Sequence, residues 1–390
     1  MLKVVLIHNR LVIGGPAIAI AHAIYLQPQY QFYLIVGKPL PDEQDAAYLF
    51  SHLTNVTIIY LPSMHRTPSI FKDYITYNKI KKIIKELAPK VVHTHGSKPG
   101  ILGRLAAYNL KVPTIIHTYH GHIFHSYFNK LISKCIVYLE RYMAARTTYI
   151  IAISHTLYTQ LTSQYRIAPP AVVKVIPLTI PLAKFYDAGG SKQAAFRAMY
   201  HIRPHHICIG IVGRITPIKN MGMYINVIIA LKSKSYFNNL RFFVIGDGND
   251  KQQLMHQLTT HNITYTETNN ALATVQFTSW HIHTHVVMNG LNILCLTSLN
   301  EGTPVAIIEA MAASKPIVST HAGSVHELVT HGVNGYVVPH NQVAAFAQAL
   351  DELITDSNKR VQFGIQSHSK VHTYFNNEHN IALLNNIYQS

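Results

Sequence analysis

The chain has 390 residues, more than one small domain needs and suited to two or three. Its 33 Lys and Arg against 17 Asp and Glu give a formal charge of +16, although charged residues make up only 13% of it. A hydrophobic share of 48% excludes a disordered polyelectrolyte or an acidic scaffold, and leaves room both for full cores and for contact with an anionic surface.

In the first half, uninterrupted runs of Val and Ile predict strands covered on both faces at 3–7, 31–36, 56–60, 91–93, 114–117 and 149–153. Amphipathic stretches between them predict helices over 16–26, 42–53, 70–87, 100–108 and 127–145. The second half repeats the pattern, with strands at 207–212, 241–245, 275–277, 293–296, 316–319 and 335–338. Its helices are expected at 220–233, 250–260, 304–313, 325–330 and 342–354. Strand and helix in alternation imply parallel sheets with right-handed crossovers. Pro177, Pro181, Gly189, Gly190 and Pro204 mark the boundary between the halves. We therefore expect Rossmann-like domains at 1–180 and 206–370, a linker at 181–205 and a final helical segment at 371–390. Two doubly wound domains place the best cleft between them, at the carboxyl ends of both sheets.

Absences narrow the field. Met1-Leu2-Lys3 runs directly into strand-like Val4-Val5-Leu6-Ile7, so no secretory leader is expected. The longest uncharged runs, 11–37 and 268–300, are broken by Gly, Pro, His and Asn, and neither reads as a membrane span. Cys135, Cys208 and Cys295 are scattered, which fits a reducing cytosol and neither a disulfide framework nor a zinc site. The 26 histidines form no metal-ligand spacing; His281, His283 and His285 would share a face only in a strand.

The strongest chemical signal is Asn300-Glu301-Gly302-Thr303-Pro304, continuing through Val305 to Glu309. Glu301 is expected in a loop after a strand, and Pro304 suits the first position of the following helix. The loop's free backbone N–H groups and the helix N-terminus can hold an anion. A carboxylate at Glu309 can accept two hydroxyl hydrogen bonds from a vicinal diol such as a ribose. The bland alternative is two solvated glutamates, which a chain so poor in acids makes less attractive. The second signal is Gly213-Arg214 followed by Lys219-Asn220 after a buried strand. Glycine lets a ligand approach the backbone, and a guanidinium fork with an ammonium suits a diphosphate.

With these segments in view, the chain resembles the retaining glycosyltransferases of family 4, which have the GT-B fold: two Rossmann-like doubly wound domains facing an interdomain cleft. Glu301 and Glu309 match its Glu-x7-Glu signature, and Gly213-Arg214 with Lys219-Asn220 its GR…K segment. Ile245-Gly246-Asp247-Gly248 resembles its G-x-G strand end, and Gly323-Ser324-Val325-His326-Glu327-Leu328 its GG-x-x-E-L turn. Gly14-Gly15, His93-Thr94-His95-Gly96, His117 through His122, and Ala152-Ile153-Ser154 extend the likeness through the first half.

The resemblance implies an acceptor-side first domain and a donor-side second domain. Arg214 and Lys219 would hold the donor diphosphate, with Gly213, Gly246, Gly302, Thr303 and Pro304 lining the donor site. Glu309 would bind the ribose, and Glu301 the sugar near its reacting carbon. His120 would reach that sugar from the opposite side, and Gly14 and Gly15 would bring backbone amides to donor or acceptor. Two departures stand out: Ser279 and Ser324 occupy positions where the family often has glycine. No Asp-x-Asp occurs, so no metal is expected; Arg214 and Lys219 would stabilise the departing phosphate. The donor is expected to be UDP-linked and the acceptor a lipid-linked or surface-polysaccharide precursor.

Three rival readings stand beside this one. A sugar-nucleotide epimerase of the same architecture would act without acceptor. A nucleic-acid-binding protein would suit the charge, but no aromatic-basic recognition motif is evident. A catalytically dead binding module is disfavoured because both glutamates and both cations remain. The basic excess fits the inner face of an anionic membrane: Arg66, Lys72, Lys79, Lys81, Lys82, Lys85 and Lys90 cluster with Tyr74, Tyr77 and Ile80. A solvated helix face explains that cluster equally well.

Overall fold

A computed structural model describes residues 1–40, 43–65, 69–121, 124, 129–269 and 272–390. They form two compact units, Met1–Ile180 with Phe375–Ser390, and Pro181–Tyr374.

In the first unit the order is β1 (Leu2–Arg10), α1 (Gly15–Tyr25), β2 (Tyr30–Gly37), β3 (Val56–Tyr60), α2 (Ile70–Leu87) and β4 (Val91–His95). It continues with α3 (Ser97–Asn109), β5 (Thr114–Tyr119), α4 (Lys130–Ala144), β6 (Tyr149–Ala152), α5 (His155–Thr159) and β7 (Val173–Val175). The sheet is parallel, ordered β3-β2-β1-β4-β5-β6-β7. Central strands such as Val4-Val5-Leu6-Ile7 are buried on both faces, which is why their sequence does not alternate. Helix α2 starts where Ser69 accepts from the Lys72 amide and the Asp73 carboxylate accepts from the Ser69 amide. It ends at Ala88, which adopts φ 43 ahead of Pro89. Beneath the sheet edge, Arg104 Nη2 and the Tyr119 hydroxyl both donate to Glu140 Oε2 at 2.6 Å, tying α3, β5 and α4 together.

The second unit runs α6 (Ser191–Met199), β8 (Ile207–Val212), α7 (Met221–Leu231), β9 (Leu240–Ile245), α8 (Lys251–Thr260), β10 (Tyr265–Thr266), β11 (Val275–Ser279) and α9 (Thr284–Gly290). There follow β12 (Ile293–Leu296), α10 (Val305–Ala312), β13 (Ile317–Thr320), α11 (Val325–Leu328), β14 (Gly335–Val338), α12 (Val343–Thr355) and α13 (Ser357–Tyr374). Its parallel sheet is ordered β10-β11-β9-β8-β12-β13-β14. Among the described residues no helix is long and apolar enough to cross a membrane.

Helix α14 (Asn377–Gln389) belongs to the first unit. Its Tyr388 hydroxyl hydrogen-bonds His93 Nδ1 at 2.8 Å, and Leu384, Ile387 and Tyr388 join the core of Ile20, Ile24 and Phe32.

Several expectations need correction. The helix expected over 42–53 is only a short 3-10 turn at Ala47–Phe50, with Asp42 outside the described residues. Ala46 N–H donates to Leu11 O and Ile13 N–H to Gln44 O, so the preceding residues spend their hydrogen bonds on the β1–α1 loop. Residues 181–205 are not a free linker: α6 packs within the second unit, its buried Phe196 ring 4.9 Å from Phe243. Tyr127, at the start of another expected helix, lies outside the described residues; α4 begins after Asn129, whose side chain caps it. His283 and His285 sit at the start of α9, a helix not expected from the sequence.

Candidate functional site

In an open α/β sheet the crevice lies where the strand order reverses. In the second unit that point falls between β8 and β12, from which the neighbouring connections depart in opposite directions. The loops leaving these two strands carry Gly213, Arg214 and Lys219 on one side and Glu301 on the other. They meet: Lys219 Nζ donates to Glu301 Oε1 at 2.5 Å, and the Ser298 hydroxyl donates to the same oxygen at 2.6 Å. The backbone supports this contact. Leu299 N–H donates to Ile218 O at 2.9 Å, and the Thr297 hydroxyl to Lys219 O at 3.0 Å.

Two glycines are required by this geometry. Gly246 has φ 131, and a Cβ there would strike the Gly213 carbonyl; the loops after β8 and β9 run side by side, Gly213 N–H donating to Ile245 O at 2.9 Å. Gly323 has φ 53 and lies against the Glu301 carbonyl, where a Cβ has no room. Gly213 itself has φ 150 and faces the Lys219 side chain.

The two departures from the glycine pattern have physical explanations. Ser279 holds φ 55, a conformation glycine adopts more easily, and its hydroxyl donates to Asp247 Oδ2 at 2.8 Å. Ser324 has φ −88, which any residue adopts, and its hydroxyl donates to Gly302 O at 2.5 Å. The Thr303 and Ser324 hydroxyls are 3.2 Å apart, so the Gly302-Thr303 turn is tied to the loop after β13. Pro304 is not the first helical residue as expected. With φ −72 and ψ 107 it is the cap of α10, and its carbonyl accepts from Ile307 N–H at 3.0 Å.

Glu309, on α10, is buried. Thr284 of α9 donates to its Oε1 at 3.3 Å. Burial raises its carboxyl to about 7, against the opposing pull of Lys184 and of the Thr284 hydrogen bond. Near neutral pH it exists in both protonation states. Lys184 and Thr284 were missed in the sequence because they lie far from Glu309 along the chain and carry no motif. Ser298 was missed although it precedes Glu301 by only three positions.

In the first unit the reversal point lies between β1 and β4. Gly14 caps α1 after β1 with φ 164, extended backbone open to any residue, and a Cβ there would meet nothing within 4 Å. Gly15 opens α1. The fold itself therefore does not demand glycine at 14. His95 ends β4 and His120 follows β5; His95 Nδ1 and His120 Nε2 are 3.0 Å apart, with stacked rings. Burial, then the nearby His8 and His93, hold His120 down to about 3, so it is neutral. His120 Nδ1 has no partner among the described residues. His122 lies outside the described residues. Among those described, no group of three or more His, Cys, Asp or Glu side chains is arranged to hold a metal ion.

Residues 17–184 match the family described as Glycosyltransferase Family 4, and residues 206–356 that described as Glycosyl transferases group 1. The chain is 27% identical over 302 residues to the UDP-Gal:alpha-D-GlcNAc-diphosphoundecaprenol alpha-1,3-galactosyltransferase of Escherichia coli, covering 77% of this chain and 76% of that one. It is 23% identical over 330 residues to the capsular polysaccharide biosynthesis glycosyltransferase CapM of Staphylococcus aureus, 82% of each. Its fold is similar to that of Anabaena HepE, solved in complex with UDP and glucose: TM-score 0.81, 17% identity and 99% of both chains covered.

Proposed function

The chain belongs to the family-4-like glycosyltransferases of the GT-B fold, and from that premise we propose that it moves a hexosyl or N-acetylhexosaminyl group, with retention, from a UDP-sugar to a lipid-linked polysaccharide precursor at the inner face of a membrane. The observation that carries this reading is the Lys219–Glu301 pair across the strand-order reversal of the second sheet. One ammonium proton is engaged by Glu301, and the remaining ones are available to a diphosphate beside it. The names of the relatives support the donor and acceptor classes: one uses UDP-Gal and a diphosphoundecaprenol-linked sugar, and HepE holds UDP.

In this reading the second unit is the donor side. Arg214 and Lys219 face the diphosphate, whose charge grows as the sugar–phosphate bond breaks. Gly213 and Gly246 let the phosphates approach the backbone, and the N–H groups of Gly302 and Thr303, ahead of Pro304, serve as further anion donors. Glu309 takes the ribose hydroxyls. Glu301, oriented by Lys219 and Ser298, accepts from hydroxyls of the transferring sugar. Cleavage leaves positive charge on the anomeric carbon; the acceptor hydroxyl attacks from the same face, and the departing phosphate takes its proton. The first unit is the acceptor side. Neutral His120 acts there as a hydrogen-bonding group rather than a charge, and Gly14 and Gly15 bring backbone amides close to the acceptor. No metal is needed for these steps, so excess chelator should leave turnover unchanged.

The test is direct. Purified protein is titrated with a panel of nucleotide sugars, then given the tightest binder and a short-chain GlcNAc-diphospholipid. A UDP-sugar should bind and its sugar should appear on the lipid with the anomeric configuration kept. Binding of no UDP-sugar, or inversion in the product, refutes the reading.

A further inference from the structure

In the second unit α7 packs against both α8 and α12. An open groove of about 560 Å³, a volume typical of small-molecule sites, is lined by residues of all three helices and their loops. Its lining departs from the rest of this basic chain. Among the described residues, no Lys, Arg, Asp or Glu lines it. Asn220, Asn226, Gln253, Gln257 and Asn341 supply carboxamides instead, and Thr260 a hydroxyl. The neighbouring ammonium groups are engaged: Lys219 with Glu301, Lys251 with Asp247 and Glu267, and Lys232 with the backbone carbonyl of His261.

The carboxamides are tied in pairs. Gln257 Nε2 donates to Asn226 Oδ1 at 2.5 Å, and Asn220 Nδ2 donates to Asn341 Oδ1 at 3.2 Å. An amide that donates keeps its carbonyl oxygen, and one that accepts keeps its NH2 group. Each pair therefore retains an acceptor oxygen and a donor nitrogen with no other partner among the described residues. Because each pair is already oriented, a ligand would order fewer side chains on binding. Met223 and Val343 add a small apolar surface, and Gly222, where a Cβ would meet nothing within 4 Å, leaves the start of α7 bare.

This chemistry selects the occupant. Vicinal hydroxyls each donate and accept, which matches an acceptor and a donor held by one amide pair. The C–H face of a pyranose ring suits the apolar surface of Met223 and Val343. An anion would find no cation here, and a cation no carboxylate. A peptide takes its affinity from a free strand edge or from several apolar anchors, and this groove lies between helices with two apolar side chains. Helix α7 follows β8 and α12 follows β14, so Asn220 and Asn341 stand at the carboxyl edge of the sheet, Asn220 directly after Lys219. From there the groove follows α8 from Gln253 to Thr260, about 10 Å at the helical rise.

We propose that this groove is a second saccharide site, which holds a neutral oligosaccharide by its vicinal hydroxyls and is separate from Glu301 and Glu309. The binding stands without the transfer reading above. Its use, keeping a neutral glycan on the protein between transfers, rests on that reading.

Calorimetric titration of the full chain with maltotriose, N,N′,N″-triacetylchitotriose and trigalacturonic acid provides the test. At least one of the two neutral trisaccharides should bind saturably, and trigalacturonic acid at least tenfold more weakly. The double variant Asn226→Ala/Gln257→Ala should weaken the neutral trisaccharide at least tenfold, with unchanged circular dichroism and unchanged UDP affinity. Gly222→Tyr is an independent block, because its side chain enters the groove without displacing protein atoms, and it should weaken binding to the same extent. Absence of saturable binding by both neutral trisaccharides overturns the inference. So does binding that either variant leaves unchanged, or that trigalacturonic acid equals. UDP-sugar titration judges the donor reading separately, so either proposal can fail alone.

Discussion

Glu309 should make donor binding depend on a proton. Its carboxyl stands at about 7, against an ordinary value near 4.5. At about 1.4 kcal/mol per pH unit, keeping it ionised in the fold costs about 3 kcal/mol. Because the folded value is raised, this group favours folding most below about pH 4.5, and that contribution is lost as pH rises through about 7. A vicinal diol donating two hydrogen bonds would favour the charged form and reverse the effect of burial. Donor binding should then release close to one proton at pH 6, where only about one tenth of the free enzyme is ionised, and almost none at pH 8. Affinity for a UDP-sugar should rise about tenfold from pH 6 to pH 8. A UDP-sugar is the right ligand because its diphosphate is esterified at both ends and keeps its charge over that range. Calorimetry in buffers of different ionisation enthalpy counts the proton. Glu309→Gln keeps the shape, should bind more weakly at pH 8, and should lose the pH dependence. It should also be more stable than the parent above pH 7, by up to about 3 kcal/mol, and lose that advantage towards pH 4.5. An affinity flat from pH 6 to 8, or a Gln variant with the parent's slope, would refute the assignment of Glu309 to the diol.

Glu301→Ala should leave UDP affinity nearly intact and cut turnover at least about tenfold, or ~1.4 kcal/mol, as read from kcat beside a nucleotide titration. Gly323→Ala should lower the melting temperature, because its φ of 53 and the Glu301 carbonyl leave no place for a methyl group; a cost of about 1–3 kcal/mol is expected. Gly14→Ala should leave the melting temperature unchanged, its Cβ meeting nothing, while lowering activity if a ligand approaches that backbone. Glu140→Ala should cost about 3–5 kcal/mol in denaturant unfolding, by stranding buried Arg104.

What the sequence displayed depended on the range of the forces involved. The runs Ile207–Val212 and Ile293–Leu296 declare themselves as strands because burial on both faces selects for residues with no polar side chain among them. Helix α2 was legible at both ends because its cap and its stop are neighbours in the chain. The short 3-10 turn at Ala47–Phe50 was not, since the bonds that displace the helix come from Leu11 and Ile13. Helix α9 was hidden because polar His and Thr open it and Gly290 closes it, leaving little apolar period. Within the site, the loops bearing Glu301 and Lys219 were found from residue type and spacing. Their ion pair could not be, since it spans 82 positions. The raised carboxyl of Glu309 was equally invisible, being produced by the packing around α10 rather than by any neighbour in sequence.

Helix α14 gives the first unit a discontinuous chain. The core around Ile20, Ile24 and Phe32, and the hydrogen bond to His93, wait for residues that follow the whole of the second unit. A ribosome making this protein delivers the first sheet early and its closing helix last. Until then the Tyr388 site stands open, and the second unit has its entire sequence available to fold first. The order of synthesis and the order of completion are therefore inverted for the two halves, and a nascent chain stalled before Asn377 would carry a complete second unit and an unsealed first one.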